Sequence, residues 1–95
     1  MLFAIICTDK PSSLETRKSN REAHLAFLSE LGDRLKAGGP FLDESGSPSG
    51  SLLIIEAASP GEARASAEND PYALAGLFES VDIRPWNMVF WQAEI

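Results

Sequence analysis

The order of elements legible in the sequence is β-α-β-β-α-β, which predicts an α+β, ferredoxin-like fold: one antiparallel sheet with the helices on one face. Two short apolar runs, Leu2–Thr8 and Ser51–Ala57, have the length of strands and no helical period. Between them, Thr16–Lys36 carries a stripe at steps of three or four residues that is apolar in its C-terminal half. After the second run, Ser59-Pro60-Gly61-Glu62 has the form of a capping box opening an Ala-rich helix, and a last strand-like run follows. A chain of 95 residues is enough for one core, so a single domain over residues 1–95 is expected.

The first strand should stop at Asp9-Lys10-Pro11, and its two apolar faces suit a central position in the sheet. Ser12 or Ser13 then offers an N-cap. The long helix is expected to begin at Glu15 or Thr16 and to close near Ala37, with Gly38-Gly39 as its stop. Gly32 would lie inside it, at a cost of about 1 kcal/mol relative to Ala. Gly39–Leu42 reads as a short edge segment, because Pro40 cannot donate to a ladder. Asp43–Gly50 reads as a polar, mobile hairpin loop. The helix opened at Ser59 should run to about Asn69, with Ala63, Ala65 and Ala67 allowing close packing on the sheet. Asp70-Pro71-Tyr72 repeats the start signal for a short helical turn ending at Gly76. Ser80–Trp91 is expected to be a long strand, kinked or bulged at Pro85.

Net charge is −6, from 8 Lys and Arg against 14 Asp and Glu. That balance repels phosphate backbones and anionic lipid, so neither a nucleic-acid nor a membrane partner is expected. Arg17, Lys18 and Arg21 stand out against it as a small positive patch able to attract a small anion. Cys7 is the only cysteine and reads as a buried, inert thiol. No Cys/His spacing resembles a zinc site, so no metal and no cofactor are expected. The run Leu2–Cys7 lacks a preceding basic segment and is too short for a signal or a span, which points to the cytoplasm. Two helices can cover only one sheet face, yet Leu2–Cys7, Leu52–Ile55 and Met88–Trp91 are apolar on both. A homodimer packed through the open face is the simplest resolution.

One helical stripe runs Arg17, Arg21, His24, Leu28, Leu31, Leu35. It is apolar in its second half and cationic or imidazole-bearing in its first, as a helix would be if it left the core midway to form a pocket wall. His24, the only histidine, has two readings: a proton-transfer or ligand-binding group, or a core-edge residue bonded to a carbonyl. Arg17 and Arg21 are near enough on a helix to converge with it, or to pair instead with Glu15 or Glu22. Asp70 before Pro71 reads locally as an ordinary N-cap, and alternatively as a carboxylate orienting an imidazole. Tyr72 either lends a phenol to the same pocket or packs through its ring. Gly39-Pro40 either passes near the helix and supplies backbone groups or forms a plain turn. Ser51 lacks a nucleophile elbow and reads as a strand-end residue. Trp86 and Trp91 fit a core or an interface better than a stacking platform.

The segments R-K-S-N-R-E-A-H-L (Arg17–Leu25), A-G-G-P (Ala37–Pro40), N-D-P-Y-A-L-A-G-L (Asn69–Leu77) and R-P-W (Arg84–Trp86), after an L-F-A-I-I opening strand, resemble the YCII-related (YciI-like) family. The resemblance implies a ferredoxin-like chain forming dimers of the dimeric α+β-barrel kind. It implies an active site on a histidine and an aspartate, which by motif position are His24 and Asp70. Arg17, Arg21, Pro40 and Tyr72 are then the substrate-binding candidates. One characterised relative is similar to a dehydrochlorinase of a chlorinated hydroxyquinol, and the wider superfamily includes muconolactone isomerase. The implied chemistry is removal and return of a proton on a small ring. The chain departs from the family pattern with Glu22 in place of a frequent Pro and a short loop before the middle hairpin. Two function classes follow: a cofactor-independent lyase or isomerase, and a non-catalytic dimer that binds or senses a small molecule. A dimer with a merely solvated polar stripe is the third, structural, possibility.

Overall fold

A computed structural model describes residues 1–92. The elements run β1 (Leu2–Asp9), α1 (Leu14–Ser19), α2 (Arg21–Leu31), a 3₁₀ turn (Gly32–Arg34), β2 (Leu35–Leu42), β3 (Pro48–Glu56), α3 (Pro60–Glu68), α4 (Pro71–Leu74) and β4 (Phe78–Trp86). The four strands form one sheet in the order β2-β3-β1-β4, every pair antiparallel. This is the ferredoxin-like arrangement. β1 lies inside it, paired with β3 from Leu2↔Glu56 to Thr8↔Gly50 and with β4 from Leu2↔Trp86 onward. A strand hydrogen-bonded on both edges is apolar on both faces, as its sequence required. Phe3, Ile5 and Cys7 join Leu53, Ile55 and Ala57 on the helix side, and Ala63 and Ala67 of α3 close over them. Phe27, Leu28 and Leu31 of α2 complete that core.

The long helix is not one helix. It breaks at Asn20, whose backbone sits at φ −111°, ψ 6°, and whose side-chain Nδ2 donates to the Thr16 carbonyl at 2.9 Å. Short amides compete with the helical ladder in this way. The second piece ends at Leu31 rather than near Ala37. Gly32 follows as its C-cap at φ 56°, in the left-handed region where glycine carries no Cβ penalty, so the interior cost does not arise. Gly38 and Gly39 lie within β2 and stop nothing. Leu35 satisfies the helical period and also faces the core from a strand. The open edge of β3 decides between the two, because pairing Leu35–Leu42 along it satisfies backbone groups that would otherwise be unpaired.

β2 is an edge strand, as Pro40 required, and β3 starts at Pro48, earlier than expected. The intervening loop is short and internally bonded: Asp43 Oδ1 accepts from the Ser45 N–H at 2.9 Å and the Ser47 N–H at 3.0 Å. Gly50 has no substitute, since a Cβ there would stand 2.4 Å from the Cys7 carbonyl oxygen. β4 ends at Trp86, short of Trp91, and Pro85 pairs with Phe3 without a bulge. An edge strand tolerates that missing donor. The register shift lies at the other end, between Thr8 and Asp9, opposite Phe78. Both helix starts hold: Ser59 Oγ accepts from the Glu62 N–H at 3.1 Å, and Asp70 caps α4. No described helix is long and apolar enough to cross a membrane.

Cys7 is buried, and its thiol is pushed up from 9.0 to about 12, first by desolvation and then by the Asp70 and Asp9 carboxylates. The native state therefore keeps this proton where the unfolded chain has lost it. Its contribution is fully present below about pH 9 and is lost as pH rises towards 12, at roughly 1.4 kcal/mol per unit. Urea unfolding of wild type and Cys7→Ala between pH 8 and 11 should show a stability difference that shrinks above roughly pH 9. A constant difference would mean that the thiol ionises freely in the fold.

Candidate active site

Side chains from both sides of the break at Asn20 reach one cavity. Arg17, in α1, turns inward and is buried. Its Nε donates to Asp9 Oδ2 at 2.8 Å, and its Nη2 donates to Asp9 Oδ1 and Ser51 Oγ, both at 2.9 Å. The guanidinium thus ties α1 to two central strands, β1 through Asp9 and β3 through Ser51. Burial opposes its charge, but the Asp9 bonds and carboxylate outweigh that and hold its pKa above the usual arginine value. The partner is neither Glu15 nor Glu22. Asp9 read as nothing more than a strand stop, and only the sheet shows that the strand's last residue faces the helix.

His24, in the first turn of α2, is also buried. Its Nδ1 lies 2.8 Å from Asp70 Oδ1, from a residue 46 positions along the chain. The same Oδ1 accepts the Tyr72 N–H at 2.9 Å, the capping bond of α4. Capping and imidazole contact coexist, therefore, on a single oxygen. An ionised carboxylate can only accept, so Nδ1 carries the proton and donates. In the neutral ring Nε2 is then the nitrogen without a proton.

Tyr72 links this pair to Arg17. Its ring stacks on the His24 imidazole with centroids 4.0 Å apart and planes at 14°. The same ring lies 4.6 Å from the Arg17 guanidinium carbon, a cation–π distance. Phe78 meets it edge-on at 6.2 Å. Of the two roles open to Tyr72, packing through the ring is thus occupied. Burial raises its phenol pKa, against the lowering charges of Arg17 and Arg21.

Above these residues lies a cavity of about 410 Å³. Arg17, Arg21, His24, Pro40 and Tyr72 all line it, together with Lys18 and Ser51. Leu14, Leu25, Leu28 and Leu53 supply apolar walls. Asp70 stands behind His24, outside the lining. Among the described residues no three His, Cys, Asp or Glu side chains converge as metal ligands.

Fold and cavity together describe a small ferredoxin-like protein with a buried histidine–aspartate pair at the wall of a ligand-sized pocket. The chain belongs to the YCII-related domain family, whose model matches residues 1–87. It is 43% identical over 98 residues to Protein YciI of Escherichia coli O6:H1, covering 95% of this chain and 100% of that one. It is similar in structure to the 5-chloro-2-hydroxyhydroquinone dehydrochlorinase of Burkholderia phenoliruptrix AC1100, solved in complex with 2,5-dihydroxybenzoquinone. That match has TM-score 0.84 and 40% identity, covering 92% of this chain and 94% of that one. A NIPSNAP family protein from Agrobacterium tumefaciens, at TM-score 0.56 and 19% identity over 98% of this chain and 97% of that one, shares the fold alone.

Proposed function

We propose that the chain is a cofactor-independent lyase or isomerase that moves a proton on a small, anionic or aromatic-derived substrate. The observation that carries this reading is the 2.8 Å contact between His24 Nδ1 and Asp70 Oδ1 beside the cavity. Asp70 fixes the tautomer, so Nε2 accepts a proton from the bound ring and the carboxylate stabilises the imidazolium that results. Return of the proton at another atom makes an isomerase, and loss of a leaving group from the anion makes a lyase. The similar dehydrochlorinase supports the lyase branch. Arg21 holds an anionic group by charge-assisted bonds. Arg17, already bonded to Asp9, contributes to the wall through its place over Tyr72, and Pro40 closes the side formed by β2.

The test is ¹⁵N NMR of the single imidazole, free of overlap because no other histidine exists. The expected neutral form has a protonated Nδ1 and a bare Nε2, and Asp70→Asn should disturb that tautomer. A proton found on Nε2 in the wild type would remove the base from the cavity and sink the proposal.

We also propose that two copies associate through the open sheet face, and that the protein works in the cytoplasm, where a lone buried thiol such as Cys7 stays reduced. Ala4, Ile6, Leu52 and Ile54 line an apolar groove of about 640 Å³ on that face, with Trp86, Met88 and Trp91 beside them. Phe41 and Trp86 are 42% and 41% exposed in the single chain. Sedimentation should give twice the chain mass of 10.3 kDa for wild type and a monomer for Leu52→Glu. A dimer that survives the buried glutamate would place the contact elsewhere.

A further inference from the structure

We infer that the Ser51 hydroxyl donates a hydrogen bond to the substrate, at an oxygen conjugated with the atom whose proton His24 removes. This rests on reading His24 as the base, and it adds the group that receives the charge left behind.

Ser51 interrupts the core face of β3. Side chains alternate along a strand, so Ser51, Leu53 and Ile55 share one face. Leu53 and Ile55 belong to the apolar core, and Ser51 pairs with Cys7, which belongs to it too. At 3% exposure Ser51 is as buried as its neighbours, yet it is polar and lines the cavity. A buried polar group needs partners to account for it.

Only half of that account lies within the protein. A hydroxyl has one proton to give and two lone pairs to fill. Arg17 Nη2 fills a lone pair at 2.9 Å, and a guanidinium cannot accept a bond in return. Among the described residues the Ser51 hydroxyl donates to no protein group, and the cavity is where an acceptor can still arrive. Arg17 is itself held by Asp9 through Nε and Nη2, so the oxygen is anchored from β3 and from α1. A cation donating to that oxygen also polarises the hydroxyl and strengthens the bond it gives. The same cation ties up a lone pair that a nucleophile would need, so Ser51 serves as a donor. Arg17 lies on the Tyr72 ring and that ring on His24, which builds donor and base into one layer of the wall.

In the step itself, the bond from the substrate atom to hydrogen breaks and an Nε2–H bond forms on His24. The electron pair left behind delocalises onto the conjugated oxygen. Ser51 keeps its own proton and stabilises that oxygen through the hydrogen bond. The charge leaves the oxygen when the proton is returned elsewhere or a leaving anion departs.

The experiment measures chloride release from 5-chloro-2-hydroxyhydroquinone, the substrate named for the similar dehydrochlorinase, by wild type, Ser51→Ala, Ser51→Thr and His24→Ala. Ser51→Ala should lower kcat by about 10²-fold, the usual loss of one preorganised donor to a developing oxyanion, with KM within a few-fold. Ser51→Thr keeps the hydroxyl and should recover most of that loss. Asp9 still accepts both bonds from Arg17 in either variant, so the fold should hold. Infrared difference spectra of bound 2,5-dihydroxybenzoquinone read the contact without turnover. A ring carbon–oxygen band lower in wild type than in Ser51→Ala is the expected sign of the bond. Identical bands, or no saturable binding of the quinone to wild type, overturn the inference. Turnover that needs His24 and is indifferent to Ser51 also overturns it, and leaves the base standing. A band shift that depends on Ser51 with no turnover by wild type does the reverse, keeping the bond and sinking the reaction.

Discussion

Replacing His24 with alanine is expected to lower turnover by roughly 10²–10⁴-fold, the usual contribution of one positioned acid–base group. Ligand affinity should stay within a few-fold, because the leucine walls and the cationic rim remain. The fold should survive as well. Asp70 Oδ1 keeps its bond from the Tyr72 N–H, so the carboxylate is not left without a partner when the imidazole goes. Chloride release from 5-chloro-2-hydroxyhydroquinone, the substrate named for the similar dehydrochlorinase, is the first assay to run on wild type and variant. Turnover by His24→Ala at the wild-type rate would exclude the imidazole as the base. Binding without turnover in either protein would favour a binding or sensing role for the same cavity.

The second large effect concerns stability. Asp9→Ala is expected to cost about 3–5 kcal/mol, the range for removing one partner of a buried ion pair. The Asp9 and Arg17 side chains are each only 7% exposed, and their two parallel bonds at 2.8 and 2.9 Å leave the guanidinium little else. After the substitution only Ser51 Oγ would accept from it. Domains of this size hold about 5–15 kcal/mol in total, so the variant should unfold at much lower urea. Asp9→Leu combined with Arg17→Met should recover part of the loss, since no buried charge then stands alone. A single-variant cost below about 1 kcal/mol would show that water reaches the pair and screens it.

The two effects are mechanically connected. Arg17 lies against the Tyr72 ring, and that ring stacks on His24. Loosening Asp9 should therefore disturb the imidazole as well as the fold. The proton transfer proposed for His24 would need this kind of support, because small displacements of a reacting group cost large factors in rate.

Much of the chain announced itself through short-range chemistry. The apolar runs of β1 and β3, the N-cap at Ser59 and the Asp70-Pro71 start signal each depend on neighbours within a few residues, and each lies in the element expected, with β3 starting at Pro48 rather than Ser51. The cationic and imidazole half of the first helical segment marked the cavity wall for the same reason: polar groups interrupting an apolar stripe need no tertiary knowledge to notice. What the sequence determined by itself was the order of elements, the sheet's buried centre and the helical stripe that lines the cavity.

The tertiary structure decided which partner each polar group takes. Leu35–Leu42 became a strand because the edge of β3 offered bonds that a longer helix could not match. Arg17 found Asp9 because the fold sets the end of β1 against α1. His24 met Asp70 across 46 residues, on the same oxygen that caps α4. Local patterns report which residues must be buried or capped. They carry no information about distant groups, whose pairing is set only when the sheet fixes every element at once.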